Sequence, residues 1–339
     1  MKRNHLFCAL LVFVGLGLFA STSQAQDRLY PVRSGNGFGF INSDGELKIE
    51  ARFDSALDFV DGLAPVKITG LWGFVDENGE IVIDALYDRV HVFSEGLARV
   101  SRKGKWGFVN SNGEEVIKIR YTDALDFSEG FAAVQRKKGG KAKWGFIDLT
   151  GEEVIPVKFA SALSFSNGLA PVERKKKFGF VSAGGSWGYI DTTGELVIKD
   201  SYNVARAFSE ETSLIYNKGV YAFINADNER IIEAPYERVH SFADGYARVY
   251  DAGGWGFMDK GGEVTIDMVF DHAYDFSEGL ALVKYGLKWG YVDESGEFAI
   301  QPRFDKGWSF NGDLARVFID GQMGYINKIG ALIWPMDAN

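Results

Sequence analysis

The stretch Gly104-Lys105-Trp106-Gly107-Phe108-Val109-Asn110 contains an aromatic–glycine–aromatic triplet that recurs along the whole chain. The nine copies begin at Phe38, Trp72, Trp106, Trp144, Trp187, Tyr221, Trp255, Trp289 and Met323, usually 34 residues apart. Two copies are imperfect, because Met323 replaces the first aromatic residue and Ala222 replaces a glycine. A fixed period of this size is typical of a repeat architecture. The sequence therefore predicts a tandem array of small, similar units.

Other positions recur when the units are aligned on the triplet. An apolar residue always stands three positions after its first residue, and phenylalanine stands 21 positions after it wherever the chain extends that far. Isoleucine stands 11 positions after it in eight units, and Trp334 takes that place in the ninth. Turns such as Asn78-Gly79-Glu80 separate runs rich in β-branched and aromatic residues, which is a hairpin signal. Each unit is predicted to hold a three-stranded antiparallel meander.

The rest of each unit is harder to assign. In residues 87–96 the strongest apolar positions are Tyr87, Val90 and Phe93, which are three residues apart. Strand alternation would give a spacing of two. This spacing favours a compact helical or 3₁₀ turn, and a short fourth strand with a bulge is the alternative.

These patterns define an all-β fold of about nine 34-residue, three-stranded meanders, with units that start near residues 29, 63, 97, 131, 169, 212, 246, 280 and 314. Residues 26–339 are expected to form one such domain. An open solenoid of stacked units is favoured, because no split unit is evident that would close a ring. The alternative is a closed, propeller-like ring, although 34 residues is short beside the ~40–45 of a four-stranded propeller blade.

The triplet tryptophans are expected to form the structural core of the repeats: Trp72, Trp106, Trp144, Trp187, Trp255 and Trp289. One meander cannot bury its own aromatic face, so the neighbouring unit must cover it. The central glycine is expected to let a neighbouring ring or backbone approach closely. The alternative is that the tryptophans form an exposed platform for a ligand.

The first 25 residues have the pattern of a signal peptide. Lys2 and Arg3 precede a run of about 15 apolar residues, and Ser23 and Ala25 precede a cleavage position before Gln26. A membrane anchor is the alternative, but this run is short beside the ~20 residues that span a bilayer. Cys8 is the only cysteine, so no disulfide is expected in the mature chain. The protein is therefore expected to be exported, to the periplasm or the extracellular space.

The formal charge of −9 disfavours nucleic acid and anionic lipid as partners. Removal of Lys2 and Arg3 with the signal peptide would leave −11. Residues 136–143 and 174–177 are basic exceptions, and both lie near the irregular triplet steps of 38 and 43 residues. We interpret them as solvated loops, with anion-binding patches as the alternative.

The run Gly104–Asn110, followed by Gly113-Glu114-Glu115-Val116-Ile117, resembles the WG repeat, also called KWG. The resemblance covers residues 29–334 in nine copies. It implies a bacterial β-repeat protein of a kind that is often secreted or surface-associated. It implies no catalytic residues.

No motif for catalysis, cofactor binding or phosphate binding is present, and we predict a protein without catalytic residues, metal or cofactor. His91 and His240 share a repeat position that many residue types fill, and His272 stands elsewhere in its unit. Four turns suggest calcium sites, but each supplies two carboxylates at most. They begin at Asp76, Asp148, Asp191 and Asp293. Local turn chemistry explains them equally well.

Three residues are the candidate binding residues: His240, Tyr274 and Trp308. All stand 19 positions after a triplet, in three consecutive units. If they face outward, they would form a column able to stack on sugars or grip a peptide. The alternative is partial burial between units. The sequence thus favours an exported, non-catalytic scaffold that binds protein or glycan at the cell envelope. A glycan-acting enzyme, a calcium-dependent surface module and a purely structural envelope protein are the alternatives.

Overall fold

The structure is a computed structural model that describes residues 28–178 and 181–334. Within these ranges all regular secondary structure is β-strand, arranged in nine small antiparallel sheets that we call blades 1 to 9. Blade 1 has three strands and the other eight blades have four. The predicted signal peptide, residues 1–25, lies outside the described residues. The prediction of an all-β repeat fold is confirmed.

The strands of the first five blades are as follows. Blade 1 contains β1 (Tyr30–Ser34), β2 (Gly37–Ile41) and β3 (Leu47–Phe53). Blade 2 contains β4 (Ser55–Ala56), β5 (Leu63–Ile68), β6 (Leu71–Asp76) and β7 (Ile81–Tyr87). Blade 3 contains β8 (Arg89–Ser94), β9 (Leu97–Arg102), β10 (Lys105–Asn110) and β11 (Glu115–Tyr121). Blade 4 contains β12 (Asp123–Ala124), β13 (Phe131–Lys138), β14 (Lys141–Asp148) and β15 (Glu153–Phe159). Blade 5 contains β16 (Ser161–Ala162), β17 (Ala170–Phe178), β18 (Val181–Ile190) and β19 (Leu196–Tyr202).

The last four blades repeat this order. Blade 6 contains β20 (Val204–Ala205), β21 (Ser213–Asn217), β22 (Val220–Ile224) and β23 (Arg230–Ala234). Blade 7 contains β24 (Arg238–Ala243), β25 (Tyr246–Asp251), β26 (Gly254–Asp259) and β27 (Val264–Phe270). Blade 8 contains β28 (His272–Ser277), β29 (Leu280–Tyr285), β30 (Lys288–Val292) and β31 (Phe298–Phe304). Blade 9 contains β32 (Lys306–Gly307), β33 (Leu314–Ile319), β34 (Gln322–Asn327) and β35 (Leu332–Trp334).

In blades 2 to 9 the segment before the meander is a strand, so the predicted helical turn is wrong and the alternative is correct. In blade 3, β8 pairs with β9, and the register shifts between Val90 and Phe93. This bulge explains the apolar spacing of three, because the extra residue keeps both side chains directed at the core. In blade 2, β4 is only two residues long, and the backbone N–H of Leu57 extends the pairing by donating to the carbonyl of Pro65.

Neighbouring blades pack through one repeated set of contacts. The phenylalanine of each first strand packs against the triplet aromatic of the preceding blade, as Phe93 does on Phe74 with ring centroids 5.2 Å apart. In eight of the nine outer turns a glycine lies against an isoleucine of the preceding blade, as Gly79 does on Ile49, and Asn228 takes the glycine position in blade 6. Each blade therefore supplies the cover that its neighbour lacks, and these contacts account for most of the core.

The two ends of the chain meet and close the array into a propeller-like ring. The Tyr325 hydroxyl of blade 9 donates to the carbonyl of Pro31 in blade 1 over 2.8 Å. The turn residue Gly45 of blade 1 lies against Ile333 of blade 9, chiefly against its backbone carbonyl. The favoured open solenoid is therefore wrong, and the ring alternative is confirmed. The ring needs no split unit, because the first and last blades contact each other directly.

We call the junction between blades 9 and 1 the seam. At the seam, Tyr30 covers the preceding blade in the way that a phenylalanine does at the other junctions. Blade 1 has no first strand among the described residues, so no phenylalanine from it can cover Tyr325. The Tyr30 ring lies against Tyr325 instead, with centroids 5.9 Å apart. The matching position of every other blade is small: Ala64, Ala98, Ala132, Ala170, Ser213, Ala247, Ala281 and Ala315. The large side chain thus occurs only where the inserted phenylalanine is lacking.

The triplet glycine is required by a bulge in the facing strand. In blade 3, Trp106 pairs with Tyr121 and Phe108 pairs with Ile117, so the facing strand crowds the glycine between them. A Cβ atom on Gly107 would lie 2.5 Å from the carbonyl oxygen of Ile117. This confirms the expected close approach of backbone.

The alanine exception has its own explanation. In blade 6, Tyr221, Ala222 and Phe223 pair regularly with the facing strand. The backbone bulge is absent at this point, so the site has room for a methyl group.

Candidate functional site

The first strands of the blades line the inner side of the ring. Residues from the first strands of blades 2, 3, 8 and 9 surround one cavity of about 890 Å³, although these blades span more than half of the ring. Strands from such separate blades can share a cavity only if they converge toward the axis. We call this space the seam cavity, because it lies over blade 1 and between the first strands of blades 9 and 2. Its principal lining residues are Tyr30, Leu57, Asp58, Tyr274, Trp308, Arg316 and Tyr325.

Two of the three candidate binding residues meet in this cavity. Trp308 and Tyr274 line it and are 40% and 44% exposed, so both rings are accessible from inside the ring. They belong to adjacent blades and face the inner side. His240 does not line the cavity. It lies one blade further along, where its Nδ1 atom is 3.1 Å from Nη2 of Arg248.

An arginine of the second strand anchors blade 3 to blade 4. Arg99 is buried, and its Nε atom lies 3.1 Å from Oδ1 of Asp126 in the next blade. Its Nη2 atom lies 2.8 Å from Nε2 of His91, and its guanidinium lies 4.8 Å from the centre of the Trp106 ring. The arginine therefore combines an ion pair across the blade junction with a cation–π contact inside its own blade.

Blade 7 repeats this arrangement. Arg248 is buried, pairs with Asp275 of blade 8, contacts His240 and lies 5.6 Å from the centre of the Trp255 ring. Its Nη1 atom also donates to the carbonyl of Ala273. A buried guanidinium needs such compensation, because an unpaired buried charge is costly.

Blade 9 has the arginine without the carboxylate. Arg316 occupies the same position as Arg99 and Arg248, and its guanidinium lies 4.3 Å from the centre of the Trp308 ring. Its carboxylate partner would come from the first strand of blade 1, which the described part of the chain does not contain. The Nε atom of Arg316 is buried and has no hydrogen-bond partner among the described residues. Among the described residues Arg316 therefore has no ion pair, whereas Arg99 and Arg248 each form one with an aspartate of the next blade.

The opposite wall of the cavity carries a carboxylate. Asp58 of blade 2 occupies the position of Asp126 and Asp275. The arginine position of the preceding blade is Pro31, so Asp58 has no guanidinium to pair with at that junction. The cavity thus presents a cation on one side and an anion on the other.

The ionisation of these groups follows from their surroundings. Burial raises the pKa of the Asp126 carboxyl, but the hydrogen bond from His91 and the charge of Arg99 outweigh burial and hold its pKa below the usual value. Burial and the charge of Arg248 lower the pKa of His240. His240 is therefore neutral at pH 7 and able to accept a hydrogen bond from Arg248. Burial raises the pKa of Tyr325, so its phenol remains a donor.

The aspartates of the outer turns are used by the turns themselves. In Asp76, Oδ1 accepts from the backbone N–H groups of Asn78 and Glu80, at 3.0 and 2.8 Å. Asp148, Asp191 and Asp293 have the same bonds, and asparagine replaces aspartate in four turns: Asn42, Asn110, Asn225 and Asn327. Over residues 28–178 and 181–334, no group of three or more His, Cys, Asp and Glu side chains is placed to hold a metal ion.

The triplet tryptophans differ in burial. Trp106, Trp144 and Trp255 are buried in the hydrophobic clusters of blades 3, 4 and 7. The remaining three are partly buried against such clusters: Trp72, Trp187 and Trp289. Trp289 also reaches the seam cavity, below Tyr274 at a centroid distance of 5.6 Å.

The two basic runs of the sequence meet between blades 4 and 5. Both blades have extended hairpins, which account for the irregular triplet steps. A groove of about 680 Å³ lies between them, with an apolar floor and no carboxylate among its lining residues. We call it the basic groove, and its cationic residues are Lys141, Lys143, Lys158, Arg174 and Lys175.

The sequence does not predict a role for four residues of the site: Arg99, Arg248, Arg316 and Asp58. It does not predict the role of Tyr30 either. A signal for the first four exists, because arginine stands nine residues before the third triplet residue in three units, at Arg99, Arg248 and Arg316. Aspartate stands 20 residues after the triplet start in three units, at Asp58, Asp126 and Asp275. Their pairing depends on which blades are neighbours in space, and the repeat pattern alone does not show it.

A closed ring of small antiparallel blades around an inner cavity defines a propeller-like repeat protein. The WG containing repeat matches residues 38–72, 72–106, 106–141, 144–178, 187–221, 221–253, 255–288 and 289–322. Because these matches cover most of the chain, the protein belongs to the WG repeat family.

Comparison with curated proteins found no match. Solved structures that resemble the chain include apo AztD from Citrobacter koseri, with 12% identity and a TM-score of 0.42 over 80% of this chain and 93% of that chain. Hsv2 from Kluyvelomyces marxianus has 10% identity and a TM-score of 0.42 over 71% of this chain and 93% of that chain. Likeness at this TM-score carries no argument about function. No helix among the described residues is long and apolar enough to span a membrane.

Proposed function

We propose that this protein is an exported, non-catalytic scaffold that binds a protein or glycan ligand at the cell envelope, in the periplasm or outside the cell. The N-terminal sequence pattern supports export. The observation that carries the binding proposal is the seam cavity, which forms at the one junction where the repetition of the ring is broken. This junction differs from the other eight blade junctions, and such a difference allows a repeat protein to bind a ligand at one place only.

The chemistry of the cavity suits a ligand that is partly apolar and partly charged. Trp308 and Tyr274 offer two accessible rings, and aromatic side chains are the usual anchors of binding sites. Arg316 stiffens Trp308 by lying over its ring and adds a positive charge beside it. The volume of about 890 Å³ is within the range of ligand-binding cavities.

Trp308→Ala is expected to weaken ligand binding by at least tenfold, because loss of a central aromatic anchor costs ~2 kcal/mol or more. The purified protein, residues 26–339, would be tested on arrays of glycans and envelope proteins, with and without EDTA. Tyr285→Ala is the control, since Tyr285 is 54% exposed and does not line the cavity. Equal binding by wild type and Trp308→Ala would place the ligand elsewhere. Turnover of the ligand, or loss of binding in EDTA, would favour the enzyme or calcium alternative.

A second candidate site is the basic groove, which we propose binds an anionic polysaccharide. Two adjacent extended hairpins contribute four cationic side chains and β15 contributes Lys158, on a protein whose net charge is −9. Such a local excess of positive charge attracts polyanions. We take an acidic glycan as the polyanion because the protein is proposed to be exported, and the partly exposed Leu196 offers apolar contact area for a sugar ring.

The double variant Lys158→Gln and Lys175→Gln is expected to weaken binding of a heparin oligosaccharide by about tenfold, which corresponds to ~1.4 kcal/mol. Wild-type binding should also weaken as salt is raised, because exposed charges are screened. Lys105→Gln with Lys118→Gln is the matched control, as both lysines are exposed and lie outside the groove. An equal loss in both double variants would show a general charge effect and contradict a specific groove.

A further inference from the structure

The seam cavity lies where a first strand of blade 1 would pair, and residues 28–178 and 181–334 contain no such strand. In the eight other blades a first strand pairs with the inner edge of the second strand, as Ser55 and Ala56 do with Lys67 and Val66. Blade 1 presents the same edge on β1 without such a strand among the described residues, and its Pro31 carbonyl already accepts a hydrogen bond from Tyr325. The cavity lies over this edge, between the first strand of blade 9 and that of blade 2.

From this geometry we infer that the cavity binds an extended peptide segment of a partner protein, which adds to β1 as the missing first strand of blade 1 and presents one carboxylate to Arg316. This inference rests on the proposed binding function and specifies its ligand. Addition of a strand to a free sheet edge is a common mode of peptide recognition. Backbone hydrogen bonds hold the peptide, and the side-chain pockets select its sequence.

The ring itself shows what such a peptide should contain. In blades 4 and 8, the first strand continues into an aspartate that pairs with the arginine of the preceding blade: Asp126 with Arg99, and Asp275 with Arg248. Arg316 is the arginine of blade 9, and its Nε atom is buried without a partner among the described residues. A peptide with alanine two residues before an aspartate would reproduce the segment Ala124-Leu125-Asp126.

The aromatic position of the missing strand is already filled. In other blades a phenylalanine follows the aspartate, but here Tyr30 covers Tyr325. The peptide therefore needs no phenylalanine. Asp58 on the opposite wall repels further negative charge, so the site favours a single carboxylate over a polyacidic segment.

The segment that the repeat aligns with the first strand of blade 1 offers no carboxylate. One period of 34 residues before Ser55 lies the segment Ser21-Thr22-Ser23-Gln24-Ala25. It has no carboxylate to offer Arg316, and it belongs to the predicted signal peptide. Residues 21–25 therefore do not supply a carboxylate for Arg316.

The test uses the capped peptide acetyl-Ser-Ala-Leu-Asp-amide and the purified protein, residues 26–339, with affinity measured by calorimetry. We expect saturable binding that weakens at least tenfold when asparagine replaces aspartate in the peptide. Arg316→Met should abolish this difference between the two peptides, whereas Arg102→Met, at an exposed arginine outside the cavity, should leave it unchanged. Bound peptide should also slow hydrogen exchange in Tyr30–Ser34.

Equal affinity for both peptides, or no slowing of exchange in β1, would overturn the strand-addition inference. Failure of the inference is distinguishable from failure of the proposed function. If a glycan or protein binds in a Trp308-dependent manner but the peptide does not bind, the cavity is a binding site of another kind. If nothing binds in a Trp308-dependent manner, both proposals fail.

Discussion

Tyr30→Ala is expected to open the ring at the seam and to lower the free energy of unfolding by about 3–5 kcal/mol, the usual cost of truncating a large buried aromatic side chain. Tyr30 is only 2% exposed and packs with Val32, Ile41, Leu314 and Tyr325 in the cluster that joins the first blade to the last. Its hydroxyl also accepts the backbone N–H of Asp313 at 3.2 Å. One side chain therefore supplies both apolar cover and a hydrogen bond across the seam.

Chemical denaturation of wild type and variant would measure this loss. Tyr30→Phe keeps the ring and removes only the hydroxyl, so it should cost about 1 kcal/mol. Tyr285→Ala, at a surface tyrosine, should lie within ~0.5 kcal/mol of wild type. If Tyr30→Ala were no less stable than Tyr285→Ala, the seam would contribute nothing to stability and the ring would be held by the other junctions alone.

Gly107→Ala is expected to destabilise the protein by about 3 kcal/mol, at the upper end of the usual cost of overpacking a core. The added Cβ would lie 2.5 Å from the carbonyl oxygen of Ile117 and 2.7 Å from Cα of Ile119. Both are backbone atoms, so no flexible side chain can move aside. Relief requires a shift of the β10–β11 pairing, in the core of blade 3.

Blade 6 offers a natural control for this substitution. Ala222→Gly changes the same triplet position where the strands pair regularly. It should cost only about 1 kcal/mol, the usual penalty for glycine in an ordered strand. Unfolding curves of the two single variants would be compared under identical conditions. Similar losses for both would contradict the argument that the bulge, rather than burial in general, selects glycine.

Much of the fold can be predicted from local sequence. The triplet, the turn glycines and the isoleucine repeat predict meanders of known length, because hairpin geometry depends on residues close in sequence. The first strand is mispredicted for a local reason. A bulge between Val90 and Phe93 converts strand alternation into a spacing of three, which imitates a helical turn.

The candidate site is predicted only in part. Trp308 and Tyr274 stand out because they are aromatic residues at a repeat position whose residue type varies between units. The structure places both in the seam cavity. His240 shares that repeat position but does not line the cavity, because it contacts Arg248 within blade 7. Arg316 is notable because the described part of blade 1 contains no carboxylate partner for it, and this is visible only when the neighbouring blades are known.

The sequence by itself determined the all-β repeat, its period and the residues that form its core, since these depend on side-chain pattern within single units. Only the tertiary structure decided that the array closes, because closure depends on the small rotation between successive blades, which no unit encodes alone. Closure also decided the site. It brings Tyr30 against Tyr325 and leaves Arg316 and Asp58 on opposite walls of one cavity, across a distance in sequence of more than 250 residues.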